Sequence, residues 1–289
     1  MEIRGGSVRV DQFGPGSRAY FLTHLHGDHA GGLRREWSRG PLYCSEVTAR
    51  LLACEYGITD DVLQVMKPHE TREVRLNGEQ VSVTAMEANH CPGALMFHFA
   101  WPDDRVYYTG DFRLNDEIRR DTLRFAGVDV AYVDSTYDEP GYVFPAQHEA
   151  IERVVSLVGE NIDKEVFLAI YNIGKTKIVE AVVGEFGRPV YVVEKVAAFY
   201  EAMGMGGLVT RETSATNIRG YSRGYFYNYF PWKSRRYRKT HVVIIPTGWA
   251  AAYGPDPFGY ICIPYSEHCD YRELCEFRDL LRPKRTVPI

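Results

Sequence analysis

No apolar run in this 289-residue chain approaches the roughly 20 residues needed to span a bilayer, which excludes a transmembrane helix. The opening Met1-Glu-Ile-Arg-Gly-Gly lacks the basic, apolar, small-residue order of a signal peptide, so the expected compartment is cytosol or nucleus. The 6 cysteines include no CxxC pair. In a chain of this size without a secretion signal they read as free thiols, not a disulfide framework. Low-complexity tracts, heptads and internal repeats are missing, and so are a full Walker motif and GxSxG; ATP hydrolysis and serine catalysis have no support. Neither sign of charge dominates: 34 Lys and Arg against 38 Asp and Glu give a net charge of −4. That balance argues against indiscriminate nucleic-acid binding while leaving room for a local basic surface. What remains is ordinary globular material, 45% hydrophobic and 25% charged, enough for one large domain or two modest ones.

The first half alternates short strand patterns with helical ones. Strands are expected at 18–23, 41–44, 81–86, 94–99, 105–109 and 129–133. A helix is expected at 46–56, closed by Gly57, and a helical mix at 31–39. From about Glu139 the texture changes. Helices at 147–158 and 175–186 flank an apolar strand at 166–170; a strand at 188–193 and a short helix at 197–203 follow. Strands at 241–245 and 260–263 then lead to a helix at 271–281. These patterns give an α/β protein with a first domain over 1–138, an inserted domain over 139–239, and a return to the first domain over 240–289.

Histidine is scarce, 9 in the chain, yet three fall in His24-Leu25-His26-Gly27-Asp28-His29. Imidazole and carboxylate are the donors borderline divalent ions prefer. On extended chain, residues i and i+2 face the same way, so His24 and His26 can converge on one ion. A turn into helix at Asp28 would redirect Asp28 and His29 toward a second position. His90 in Asn89-His90-Cys91-Pro92-Gly93, Asp111 in Thr109-Gly110-Asp111-Phe112-Arg113, and His268 in Pro264-Tyr265-Ser266-Glu267-His268 each lie where a strand pattern gives way to a loop. Alone, each reads as a surface turn residue; with the HxHxDH core they complete three- or four-ligand shells. His69, His98, His148 and His241 fit no motif and read as structural.

Residues 221–239 hold eight aromatics and six Lys or Arg with no acid. Basic side chains neutralise phosphates and aromatic faces stack on unpaired bases. The plain alternative is a β-hairpin with core aromatics and a solvated charged face. Lys233, Arg235, Arg236, Arg238 and Lys239 are the group to test. Ile173-Gly174-Lys175 at a helix start offers backbone N–H groups and an ammonium to an anion, or is an ordinary strand-to-helix turn.

Residues 24–29, 89–93, 109–113 and Asp11 resemble the motifs of the metallo-β-lactamase fold. Val133-Asp134-Ser135-Thr136-Tyr137, Tyr171-Asn172-Ile173-Gly174-Lys175, Pro246-Thr247-Gly248-Trp249 and Pro264–His268 are similar to the β-CASP branch, specifically the DNA crosslink-repair nucleases of the Artemis and Apollo family. The resemblance runs from about residue 7 to 289. It implies an αββα sandwich with an inserted β-CASP α/β domain. It makes His24, His26, His90 and Asp111 ligands of one ion, and Asp28, His29, the bridging Asp111 and His268 ligands of a second. The ions expected are Zn2+, with Mg2+ or Mn2+ as alternatives in the second position. Asp11 would orient a histidine and Asp134 would support His268. Asp28 or His29 would orient the attacking water, and His268 would protonate the leaving oxygen. Tyr171, Lys175, Thr247 and Ser266 would contact a 5′-phosphate. One departure stands out: Ile244-Ile245 precede Pro-Thr-Gly-Trp where the family often carries a basic residue.

The expected activity is a metal-dependent 5′-to-3′ exonuclease that prefers a 5′-phosphate and acts in DNA repair. Structure-specific endonuclease action and RNA processing are the alternatives. A small-molecule ester or lactam hydrolase, or a non-catalytic scaffold, fits less of the sequence. The expected partner is DNA, as single strands or 5′ ends, with RNA as the rival. No membrane is involved and a monomer is expected, placed in the nucleus in a eukaryote and in the cytoplasm otherwise.

Overall fold

Alternating apolar side chains build the first part of the chain into two sheets that share one core. The computed structural model describes residues 1–59, 61–76, 78–229, 237–250 and 260–289. They form two compact units, Met1–Val143 with Glu267–Ile289, and Phe144–Ser266.

The first sheet of the first unit contains β1 (Glu2–Ile3), β2 (Val8–Val10), β3 (Ala19–Phe21), β4 (Leu42–Cys44) and β5 (Leu63–Val65), in that order. β1 is antiparallel to β2 and the rest are parallel. The second sheet opens as an antiparallel meander of β6 (Thr71–Leu76), β7 (Glu79–Glu87), β8 (Leu95–Ala100) and β9 (Arg105–Tyr108). β10 (Val130–Val133) then pairs parallel with β9, and the final strand, Arg285–Pro288, pairs parallel with β10 at the edge. Phe21 of β3 joins the two sheets: it stacks on Tyr43 and meets Phe97 and Phe99 of β8 edge-on, with centroids 5.2 and 5.0 Å away. Val8, Val10, Val81, Val83 and Val106 fill the same core. Each such side chain contributes about 1.5–3 kcal/mol when fully buried.

Helix α1 (Glu46–Tyr56) begins at Ser45, whose Oγ accepts the Thr48 N–H at 3.0 Å, and ends at Gly57 in the left-handed region with φ of 66°. It lies against the first sheet. On the outer face of the second sheet, α2 (Asp116–Arg124) is joined to the C-terminal helix Tyr271–Leu281 by Arg119 and Glu276 at 2.7 Å. Phe277 of that helix packs on Tyr107 and Phe112. The layers are therefore αββα.

The second unit holds one sheet: β11 (Glu165–Ala169), β12 (Val190–Tyr191), β13 (Val209–Thr210), β14 (Ile218–Tyr221), β15 (His241–Thr247) and β16 (Ile261–Pro264). The order is β13-β12-β14-β11-β15-β16, and every pairing is parallel. Parallel neighbours require crossovers. α4 (Thr176–Phe186) connects β11 to β12, and α5 (Glu194–Ala202) connects β12 to β13, while α3 (Gln147–Gly159) precedes the sheet. Phe167, Ala169, Val243 and Ile245 bury one face under Phe226 and Tyr260.

Several expectations differ from what is observed. The second unit extends through Ser266, because β15 pairs with β11 from Glu165↔His241 to Leu168↔Ile244 and β16 pairs with β15. A short apolar strand does not advertise which sheet it will join. Residues 31–39 are turns and bends with no helix, and the Trp37 indole N–H donates to Gly40 O at 2.9 Å. Asp28 begins no helix; it lies in a turn closed by His29 N–H to His26 O at 3.1 Å. Arg223–Tyr229 and Tyr237–Thr240 are helical, so the described parts of 221–239 do not form the alternative β-hairpin.

Candidate metal centre

Four strands of the first unit end at one place. β3 runs out at Phe21 into the loop carrying His24, His26 and His29; β7 leads to His90, β9 to Asp111 and β10 to Asp134. His268 arrives from the segment before the C-terminal helix. The Leu95 N–H donates to Thr23 O at 2.9 Å, joining the first ligand loop to the start of β8.

The ring nitrogens converge. His24 Nε2 lies 2.9 Å from His26 Nδ1, and His90 Nε2 lies 3.2 Å from that same atom. Asp111 Oδ2 is 3.6 Å from Nε2 of both His24 and His90 and 3.9 Å from Nε2 of His268. Its other oxygen, Oδ1, is 3.2 Å from His29 Nε2. Donors about 2.0–2.1 Å from a tetrahedral zinc sit about 3.3 Å apart, close to these separations. One carboxylate oxygen of Asp111 thus faces His24, His90 and His268, and the other faces His29. Asp28 is at the rim: its Oδ2 is 4.0 Å from His29 Nε2, and its side chain is 79% exposed.

The opposite ring nitrogens are occupied, and this is the test of fit. His29 Nδ1 meets Asp11 Oδ2 at 2.8 Å, and His268 Nδ1 meets Asp134 Oδ2 at 2.9 Å. His90 Nδ1 donates to Glu267 O at 2.9 Å. His24 Nδ1 contacts Thr23 Oγ1, which itself donates to Asp11 Oδ2 at 2.8 Å. With Nδ1 holding the proton, each of these rings aims a bare Nε2 lone pair inward, the arrangement metal-bound imidazoles adopt. The residues present fit a divalent ion.

Electrostatics divide the set into neutral rings and rings that must shed a proton to bind an ion. Burial, followed by the neighbouring histidines, holds His24 and His90 well below the ordinary imidazole value, so both are neutral donors. Burial also opposes charge on His29 and His268. There, Asp11 and Asp111 lift His29 to about 11, while Asp134 and Asp111 lift His268 to about 9. Burial raises Asp111, but the His29 hydrogen bond and the His268 charge outweigh it and leave the carboxyl well below its usual range.

Sequence reasoning missed three parts of this site. Thr23 bridges Asp11 and His24, and Thr136 caps Asp134 with its N–H and Oγ1 at 2.9 and 2.7 Å. Common hydroxyl residues carry no spacing signal. Cys91 was read only as a free thiol, yet its sulfur lies within 4.8 Å of ligand atoms of His24, His26 and His90. Burial pushes that thiol well up, so it stays protonated.

The residues expected to contact phosphate lie in the second unit. Lys175 is buried and braced inward: its Nζ donates to Ala169 O at 3.1 Å and Pro246 O at 2.6 Å, and stands 4.2 Å from the Tyr171 ring centroid. The anion-binding ammonium expected from sequence thus spends two protons on the ends of β11 and β15. Tyr171 is exposed, Thr247 Oγ1 accepts the Trp249 N–H at 3.2 Å, and Ser266 is buried. Lys239 is exposed. Lys233, Arg235, Arg236 and the Arg238 side chain lie outside the described residues.

An αββα sandwich with imidazoles and a carboxylate gathered at its strand ends defines one superfamily. The chain belongs to it, in the β-CASP DNA crosslink-repair branch: residues 8–168 match the beta-lactamase superfamily domain and residues 228–289 the DNA repair metallo-beta-lactamase family. The DNA cross-link repair protein SNM1 of Arabidopsis thaliana is 31% identical over 99% of this chain and 64% of its own length. The 5′ exonuclease Apollo of Gallus gallus is 32% identical over 95% of this chain and 59% of its own. DNA ligase 6 of Arabidopsis thaliana is 33% identical over 94% of this chain and 21% of its own. The chain thus spans between about a fifth and two thirds of these relatives. A crystal structure of a protein of unknown function from Enterococcus faecalis V583 superposes with a TM-score of 0.65 at 17% identity, covering 94% of this chain and 75% of that one, which shows the fold.

Proposed function

We propose that this chain is a metal-dependent DNA nuclease, a 5′-to-3′ exonuclease that prefers a 5′-phosphate and works in DNA repair. The observation that carries the reading is the shared Asp111, flanked by imidazoles whose outer nitrogens are already bonded. Three imidazoles with Asp111 suit zinc at the first position; Asp28 and Asp111 give the second more oxygen, where Mg2+ or Mn2+ compete. The relatives named as a 5′ exonuclease and a cross-link repair protein support the choice of DNA and of the 5′ end. In a eukaryote such a protein works in the nucleus.

Bound divalent ions neutralise phosphate oxygens and acidify water in such a site. The chain's own residues supply the rest. Asp28, at the exposed rim, orients the attacking water. Asp134 accepts the Nδ1 proton of His268 and so turns its Nε2 toward Asp111 as a metal donor, while the leaving oxygen takes its proton from solvent. Asp11 fixes His29 and, through Thr23, His24. Tyr171, Thr247 and Ser266 offer hydroxyls to a terminal phosphate, with Lys175 bracing the strand ends that carry the first two.

The test is digestion of end-labelled single-stranded DNA with and without a 5′-phosphate, beside an Asp28→Ala, His29→Ala control. Stepwise 5′ shortening that needs the phosphate and disappears in the control is expected. Internal cuts would move the assignment to an endonuclease. Intact DNA with matched RNA cleaved would move it to RNA processing.

A further inference from the structure

The segments carrying His90, Asp111 and His268 come from residues nearly 180 positions apart, and one buried side chain lies where all three meet. His90 Nδ1 reaches Glu267 O at 2.9 Å, a bond between residues 177 apart in sequence. Arg113, two residues beyond Asp111, has only 5% of its side chain exposed. Its backbone is woven into the His90 segment: its N–H donates to Ala88 O at 3.2 Å, and its carbonyl accepts from Asn89 Nδ2 at 2.8 Å. Its side chain goes the other way. Nε lies 2.8–3.0 Å from both carboxylate oxygens of Glu273.

Glu273 is no ordinary surface partner. Its Oε2 accepts the Asp270 N–H at 2.9 Å while Asp270 Oδ1 accepts the Glu273 N–H at 3.0 Å, a capping box at the start of the C-terminal helix. Asp270 stands two residues after His268. Between them, the Cys269 N–H donates to Phe112 O at 2.8 Å, and Cys269 Sγ accepts the Leu114 N–H at 3.2 Å. These two bonds fasten the His268 segment to the Asp111 segment at Cys269, beside the His90–Glu267 and His268–Asp134 contacts. The Arg113–Glu273 pair adds a further, charged point one helical turn away, at the start of the helix that follows. A buried ion pair is weak as a source of stability, because desolvation offsets most of the attraction; its value is geometric.

We propose that Arg113 is a positioning residue that sets His268 against Asp111, acting through Glu273 and the helix cap. This rests on His268 being a metal ligand, and it assigns the Arg of the Thr-Gly-Asp-Phe-Arg motif a task that none of the metal donors performs. Without the pair, His268 Nε2 drifts from Asp111 while His24, His26 and His90 stay in place.

The experiment is a cobalt titration of protein stripped of metal, followed by its visible absorption, for the unsubstituted chain, Arg113→Met and His268→Ala. Thermal melting reports folding in parallel. Groups that orient metal ligands typically cost 10–100-fold in affinity when removed. Arg113→Met is expected to lose the same cobalt band as His268→Ala, with that step weakened 10–100-fold and the remaining band unchanged. A folded Arg113→Met that titrates like the unsubstituted chain overturns the proposal, as does one that loses every band. If His268→Ala changes nothing, the ligand assignment fails instead, and the two failures are distinct. Should Arg113→Met not fold, Glu273→Gln removes the pair's charge without leaving a cavity and is judged by the same comparison.

Discussion

Asp111 meets four imidazoles, and these differ in charge. In protein stripped of metal, His29 is pushed up to about 11 and His268 to about 9, so both are protonated at pH 7. A coordinating nitrogen must be bare, so ion uptake expels these protons. Calorimetric zinc titration at pH 7 in buffers of different ionisation enthalpy should show about two protons released once both positions fill. Uptake without release contradicts the charge assignment. The stability linkage has a definite sign. Both folded values exceed the unfolded value of about 6.5, so the stability these groups lend the stripped protein is complete below that pH. It is lost as pH rises through about 9 and then about 11. Zinc affinity should climb over the same window.

At the same scale, Asp134 holds His268 through Nδ1 and is itself capped by Thr136. Asp134→Asn can present an amide N–H where the ring needs an acceptor, so the ring loses its fixed orientation. Metal affinity at that position should fall about 10–100-fold by chelator competition; a change under twofold would remove the orienting role.

Among the elements, the turn after β9 leaves no room for a side chain. Gly110 has φ of 55°, and a Cβ there would sit 2.8–2.9 Å from Thr23, the residue bridging Asp11 and His24. Gly110→Ala should cost more than about 1 kcal/mol in urea unfolding and weaken metal binding with it. A stability loss with unchanged metal affinity would show that Thr23 is not transmitting the shift.

Elements were legible where the chain marks its own ends. Gly57 closes α1 as expected, Ser45 caps its start, and Asp270 with Glu273 caps the start of Tyr271–Leu281. The His24–His29 cluster was legible because histidine is scarce here and three occur in six residues. α2 was not, because Asp116–Arg124 is mostly charged and its helix is held by partners far along the chain, such as Glu276. The final strand and the two-residue β1 were missed because pairing with β10 and β2 makes them strands, and pairing is not a local property. The inward turn of Lys175 was equally hidden, since its acceptors include the carbonyl of Pro246, 71 residues away.

For the whole molecule, every metal donor lies in the first unit and the basic cluster in the second. Chelation should therefore lower the melting temperature of one calorimetric transition and leave another in place. A single transition that shifts as a whole would show the two units unfolding together. Neutralising Lys233, Arg235, Arg236, Arg238 and Lys239 should flatten the salt dependence of single-strand binding, by about 0.7 in log–log slope for each phosphate these side chains neutralise. An unchanged slope would discard the cluster as a DNA-binding surface.

The donors are also spread along the chain, with about 240 residues between His24 and His268. A ribosome adds roughly 5–20 residues per second, so His24 emerges about 12 to 50 s before its last partner exists. Until then the growing chain offers an incomplete set of imidazoles, able to pick up whichever ion is abundant and to give it back. The ion finally kept is chosen when the His268 segment arrives. Cellular metal supply at that moment, more than the order of motifs, would then decide which form of the protein accumulates.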